Sequence, residues 1–120
     1  MGIIKEKFKA KADATAAEIK EILKEHGNKK IGEVTLSQVY QGMRGITGLV
    51  TETSLLDAQE GIRFRGYTIP ELQQKLPKAT NGAEPLPEGL FYLMLVGELP
   101  TEADVSHLTS VWQRRSHVPN

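Results

Sequence analysis

The chain has 120 residues and a mass of 13.3 kDa, the size of one domain with no room for a second full core. Hydrophobic residues make up 39% and charged residues 25%, and fifteen basic side chains balance fifteen acidic ones. That composition argues against wholesale disorder, and zero net charge removes the usual case for a nucleic-acid or membrane-surface protein. The absence of cysteine excludes disulfides, thiolate nucleophiles and cysteine-bound metal. No apolar stretch reaches the ~20 residues of a membrane-spanning helix, the longest being Gly89 to Gly97. The N-terminus has four lysines, Lys5, Lys7, Lys9 and Lys11, but no apolar signal core. The expectation is a soluble cytoplasmic protein or the mature part of an imported one.

Charge is unevenly spread. Residues 1 to 30 carry eight lysines against five acids, and the rest of the chain has the opposite excess. This reads as a solvated lysine-rich helix, or as an arm that docks on an acidic surface.

In chain order, residues 1 to 11 read as a mobile lead-in. A helix is expected over 15 to 26, opened by a Thr15–Glu18 capping box and closed at Gly27-Asn28. Its stripe of Ile19, Ile22 and Leu23 is narrow, so the helix should lie on something. Val34 and Leu36 alternate with Glu33 and Thr35, a short strand signal. Gly42, Gly45 and Gly48 follow at three-residue spacing. Two β-rich runs come next, Leu49 to Ser54 and Ile62 to Arg65, joined by a turn over Asp57 to Gly61. Glycine interrupts every run, so residues 31 to 66 predict short hairpins or extended segments.

From Thr68 the pattern is helical. Thr68–Glu71 forms a capping box for a helix over 69 to 76, stopped by Pro77. A polar loop with an Asn81-Gly82 turn leads to a helix over 87 to 96. Its Leu90, Phe91, Leu93, Met94, Leu95 and Val96 are apolar on all sides, so Leu90, Phe91, Met94 and Leu95 should be surrounded only when a partner surface is present. Thr101–Asp104 caps a last helix over 102 to 114, with Val105, Leu108, Val111 and Trp112 on one face. The fold class expected is mainly α.

Few constellations suggest chemistry. The glycines around Met43-Arg44 could cradle phosphate oxygens beside an arginine fork, or could merely permit tight turns. Arg63 and Arg65, on one face of their strand, could bind an anion or pair with Glu52, Asp57 or Glu60. His26 reads as a capping cation, His107 as exposed and His117 as lying at a ragged end. No two histidines have helical metal-site spacing, so no metal site and no catalytic residue is assigned. Phe91 and Trp112 read as core or interface.

A larger pattern spans these pieces. Gly42-Met43-Arg44-Gly45-Ile46-Thr47-Gly48-Leu49-Val50, Glu52 to Asp57, and Glu60-Gly61-Ile62-Arg63-Phe64-Arg65-Gly66 together resemble the N-terminal region of eukaryotic-type citrate synthases. The likeness continues through Ile69-Pro70-Glu71, Leu76 to Ala79, Glu84 to Phe91 and Gly97 to Thr101, and upstream through Glu25 to Asn28 and Gly32 to Thr35, so it covers about residues 15 to 120. The resemblance implies a helical, dimeric enzyme that condenses acetyl-CoA with oxaloacetate, without a permanently bound cofactor. It implies a mitochondrial matrix location, with cytoplasm and peroxisome as alternatives. The family's catalytic histidines and aspartate lie in later segments that nothing in this sequence matches. The chain is therefore expected to be an inactive N-terminal part of such a domain. Arg44 matches the family arginine that helps bind coenzyme A phosphate; Arg63 and Arg65 match positions read as structural. A rival reading is a helical module that pairs with a copy of itself or with a partner, without catalysis.

Overall fold

The computed structural model describes residues 2–117. In chain order it contains α1 (Gly2–His26), α2 (Leu36–Tyr40), β1 (Ser54–Asp57), β2 (Gly61–Phe64), β3 (Tyr67–Thr68), α3 (Ile69–Lys75), α4 (Pro87–Val96) and α5 (Glu102–Arg115). The mainly helical class expected from the sequence is the one observed.

The core lies where α1, α3 and α5 meet α4. Ile4, Tyr92, Val96 and Leu108 form one buried cluster. Leu72, Leu76 and Leu93 form a second, with Phe64, Tyr67, Leu90 and Leu99 packed against it. Tyr92 and Leu93 are neighbours on α4 yet face different clusters, which is why a helix apolar on all sides sits at the centre. Its outer positions are only partly covered: Phe91 remains 42% exposed and stacks edge-to-face on Trp112, with ring centroids 5.2 Å apart.

Local signals explain α3 to α5. The Thr68 and Thr101 hydroxyls accept from the N3 amides of Glu71 and Asp104, whose carboxylates accept in return. α4 has Pro87 in its first turn and ends at Gly97, in the left-handed region at φ 83°. The loop between α3 and α4 turns at Asn81 and closes with a Lys78–Pro85 bridge. The three strands form one antiparallel sheet in the order β1-β2-β3, with Leu56 opposite Ile62 and Phe64 opposite Tyr67. The β1–β2 turn is closed by Asp57 Oδ1, which accepts from the amides of Gln59 and Glu60, and Gly61 is left-handed at φ 87°. Those two amides hold the Asp57 carboxyl below the usual aspartate value.

Several expectations are corrected. The segment read as a lead-in, residues 1 to 11, is helical from Gly2, because its alanines, lysines and glutamate are strong helix formers. Thr15 therefore lies inside α1 and caps nothing. The strand signal at Val34–Leu36 gives way to a helix: Thr35 and Gln38 make a capping box that starts α2. The β-rich run Leu49–Ser54 is irregular until Ser54. His107 is half-buried rather than exposed, and its Nε2 is buried with no hydrogen-bond partner among the described residues.

Between α1 and β1 the chain forms an arm, residues 28 to 53, whose only regular element is α2. Ile31, Leu36, Tyr40, Leu49 and Val50 are each more than 70% exposed there. This arm carries the candidate site.

Candidate functional site

The Gly42–Gly48 loop follows directly from α2. The amide of Gly42 donates to Val39 O and that of Met43 to Gln38 O, so the end of α2 folds back on itself. Gly42, Met43 and Gly45 are all left-handed, at φ 75°, 60° and 72°. Two of these positions suit glycine; Met43 adopts a conformation that costs an L-residue on the order of 1 kcal/mol. The amide of Ile46 closes the turn onto Met43 O. Gly48 has no positive φ, so the third glycine of the series is not part of the turn.

This geometry decides part of the phosphate reading. The amides of Gly42, Met43 and Ile46 are engaged by backbone carbonyls, so they do not cradle an anion. What the loop presents is Arg44, an exposed residue between left-handed neighbours. Among the described residues the arginine ion pairs are those of Arg63 and Arg65, so no carboxylate ties Arg44 to the loop. A guanidinium held at a turn with its fork uncommitted suits recognition of a phosphate oxygen pair. A cleft of about 210 Å³, lined by Ile31, Gly32, Glu33, Val34, Gly45, Ile46 and Thr47, borders the same turn.

Arg63 and Arg65 are structural, as expected, but they do not act as a pair. Arg63 chelates Glu60 Oε2 at 3.1 and 2.8 Å and donates to Gly66 O at 3.2 Å. Arg65 is left-handed at φ 48°, which breaks the strand alternation and turns its side chain elsewhere. It donates to Met94 O on α4 at 3.2 and 2.6 Å and lies 3.9 Å from Glu52. Its own amide bonds Thr53 O, so one residue fastens the end of the arm to α4.

A cluster absent from the sequence reading joins α1 to the core. Lys7 Nζ donates to Tyr92 Oη at 2.5 Å and to Asp104 Oδ1 at 3.3 Å. The Tyr92 hydrogen bond, with Asp104, holds the Lys7 ammonium above its ordinary value despite burial. Burial opposes the Asp104 charge, but the Thr101 hydroxyl, the Thr101 amide and Lys7 outweigh it and hold the carboxyl below its ordinary value. Glu88, buried on α4, accepts from Thr109 Oγ1 at 2.9 Å. No hydrogen bond joins these groups to His26, which closes α1 exposed beside Glu25, or to His117. The described residues contain no group of three or more histidine, aspartate or glutamate side chains placed to hold a metal, and no helix long and apolar enough to cross a membrane.

The described residues thus form a mainly helical framework packed around a central apolar α4, with a glycine-bounded arginine turn on an exposed arm. Residues 42–120 match the family model described as citrate synthase, C-terminal domain. The chain is 57% identical over 116 residues to a mitochondrial citrate synthase of Aspergillus niger, covering 97% of this chain and 24% of that relative. It is 57% identical to the mitochondrial citrate synthase of Saccharomyces cerevisiae and 55% identical to a mitochondrial 2-methylcitrate synthase of Yarrowia lipolytica, again over 97% of the chain. The chain belongs to the citrate synthase family. It spans about a quarter of the length of the curated relatives it matches.

Proposed function

We propose that this chain is the N-terminal part of a citrate-synthase domain. The complete enzyme condenses acetyl-CoA with oxaloacetate to citrate and coenzyme A, as a homodimer in the mitochondrial matrix, with no permanent cofactor. The observation that carries this reading is the 57% identity to a mitochondrial citrate synthase across nearly the whole chain. The part played by this segment is binding, because no histidine in it has a partner set suited to proton transfer. Arg44 contacts a phosphate of coenzyme A. Its exposed guanidinium, the left-handed turn that presents it and the absence of an ion-pair partner among the described residues support that role.

The test is Arg44→Ala in the complete enzyme. A hydrogen bond to a charged group contributes about 1.5–3 kcal/mol, so KM for acetyl-CoA should rise about ten- to hundredfold. The oxaloacetate KM and the Tm should stay near their original values, and Arg44→Lys should recover only part of the loss. An unchanged acetyl-CoA KM with a lowered Tm would make Arg44 structural. Supplying propionyl-CoA in parallel separates citrate from methylcitrate formation, and a citrate synthase must turn over acetyl-CoA more efficiently. The isolated chain should show no condensation at all.

A further inference from the structure

Three helices open with the same device, a threonine whose amide and hydroxyl are closed by the side chain three residues on. At α3 and α5 that side chain is a carboxylate, Glu71 or Asp104. At α2 it is the uncharged Gln38, and α2 leads into the Arg44 turn. Gln38 Oε1 accepts from the Thr35 amide at 2.9 Å and from the Thr35 hydroxyl at 3.1 Å. The Thr35 amide can only donate, so the carboxamide oxygen faces it and Nε2 faces away. Nε2 lies over Gly45, where an added Cβ would meet it at 3.8 Å. The Gln38 backbone carbonyl accepts from the Met43 amide at 2.8 Å. One residue therefore closes the start of α2 and reaches both neighbours of Arg44. Within residues 28 to 53, Gln38 and Ile46 are half-buried and the others are exposed. A five-residue helix has too few internal bonds to stand alone, so the cap is the footing of the Arg44 turn.

Capping needs only an acceptor, and a glutamate would serve it as well as a glutamine. A carboxylate, however, brings a second charged oxygen. At α5 that oxygen has taken a cation: Asp104 Oδ2 accepts from Thr101, and Oδ1 meets Lys7 Nζ at 3.3 Å. At position 38 the second oxygen would stand where Nε2 stands, one residue from Arg44. It would draw the arginine fork onto itself and repel an incoming phosphate. We infer that Gln38 is a positioning residue for Arg44: its cap holds the turn, and its lack of charge leaves the guanidinium free for a phosphate of coenzyme A. The inference rests on the coenzyme A contact proposed above and adds the residue that controls it.

The experiment places Gln38→Glu and Gln38→Ala in the complete enzyme, each alone and together with Arg44→Ala. The first keeps the cap and adds a charge; the second removes the cap and adds none. Each should raise KM for acetyl-CoA about two- to fivefold, without a matching change in kcat or in KM for oxaloacetate. With Arg44 already replaced, neither should raise it further, because no guanidinium is left to position. A lowered Tm in Gln38→Ala with both KM values unchanged would reduce Gln38 to a stabilising cap and overturn the inference. Full additivity with Arg44→Ala would overturn it too, by placing the action of Gln38 elsewhere. The Arg44 Nε–H resonance of this 120-residue chain gives a direct readout. Gln38→Glu should move that resonance and slow its exchange with water, while the Arg63 resonance stays in place. An unmoved Arg44 resonance overturns the inference whatever the kinetics. If the resonance moves but Arg44→Ala leaves KM for acetyl-CoA unchanged, Gln38 keeps its hold on Arg44 and the coenzyme A reading is what fails.

Discussion

Asp104 does two things with one carboxylate. Oδ2 accepts from the Thr101 amide and hydroxyl at 3.0 and 2.7 Å, completing the start of α5, while Oδ1 meets Lys7 from α1. The carboxyl is held below its ordinary 3.8, so its contribution is fully present above that pH and is lost as pH falls through the native value. Lys7 has the opposite sign: its contribution is present below 10.5 and fades as pH rises through its raised native value. Lys7 is 40% exposed, so the ion pair itself is screened and the cap dominates. Asp104→Ala should therefore cost about 1 kcal/mol at pH 7. Asp104→Asn, which keeps an accepting oxygen, should cost less. Urea titrations of both variants at pH 7 and well below 3.8 check this; a gap between Asn and wild type that persists in acid would show that the charge is not its source. The cap was legible because Thr101 and Asp104 lie three residues apart. Lys7 was not, because it is 97 positions away and only packing brings it there. The role proposed for Arg44 comes chiefly from family resemblance, since glycine spacing alone also fits a simple turn.

Among the elements, those with local stop and start signals were readable. The helix over 87 to 96 has the bounds expected, because Pro87 opens it and Gly97 closes it. Gly97 is left-handed at φ 83°, and its amide bonds Leu93 O at 2.8 Å. A Cβ there would meet only ordinary contacts, the flexible end of Lys11 at 3.4 Å and the Arg65 guanidinium carbon at 4.0 Å, so space is not the obstacle; the backbone angle is. Gly97→Ala should lower stability by about 1 kcal/mol, and Gly97→Asn should lower it less, because asparagine tolerates the left-handed region. Equal losses in thermal melts would point to crowding against Lys11 instead. The elements misread were those with competing local patterns. A Thr-x-x-Glu motif at Thr15 resembles a helix start, but the preceding residues already favour helix and carry α1 through it. Four alternating residues around Val34 resemble a strand, but the Thr35–Gln38 box satisfies backbone donors that a lone strand would leave open. The sheet formed where a glycine turn lets β1 and β2 pair, beginning at Ser54, and not in the preceding Leu49–Glu52.

At the scale of the molecule, the chain divides into a packed body and an arm that the body does not cover. Apolar content alone would suggest that Leu49 and Val50 are buried, whereas they stay 80% and 87% exposed among the described residues. The division predicts how the isolated chain is cut. Proteolysis needs backbone that can open locally, and opening is easiest where few apolar groups are buried. Lys29, Lys30 and Arg44 lie on the arm, whereas Arg63, Arg65 and Lys75 lie in or beside the sheet and α3, tied down by Glu60, by Met94 O and by the Tyr67 ring. Trypsin at limiting concentration should therefore cleave at Lys29, Lys30 or Arg44 before it cleaves at those three. The nicked chain should stay together, because Ile4 is buried against Tyr92, Val96 and Leu108, and Lys7 still reaches Tyr92 and Asp104. Mass spectrometry of the first products, with gel filtration of the nicked material, measures both. Early cleavage at Arg63 or Lys75 would mean that the body is as open as the arm. Separation of the α1 fragment after nicking would mean that Ile4 and Lys7 are too few contacts to hold it.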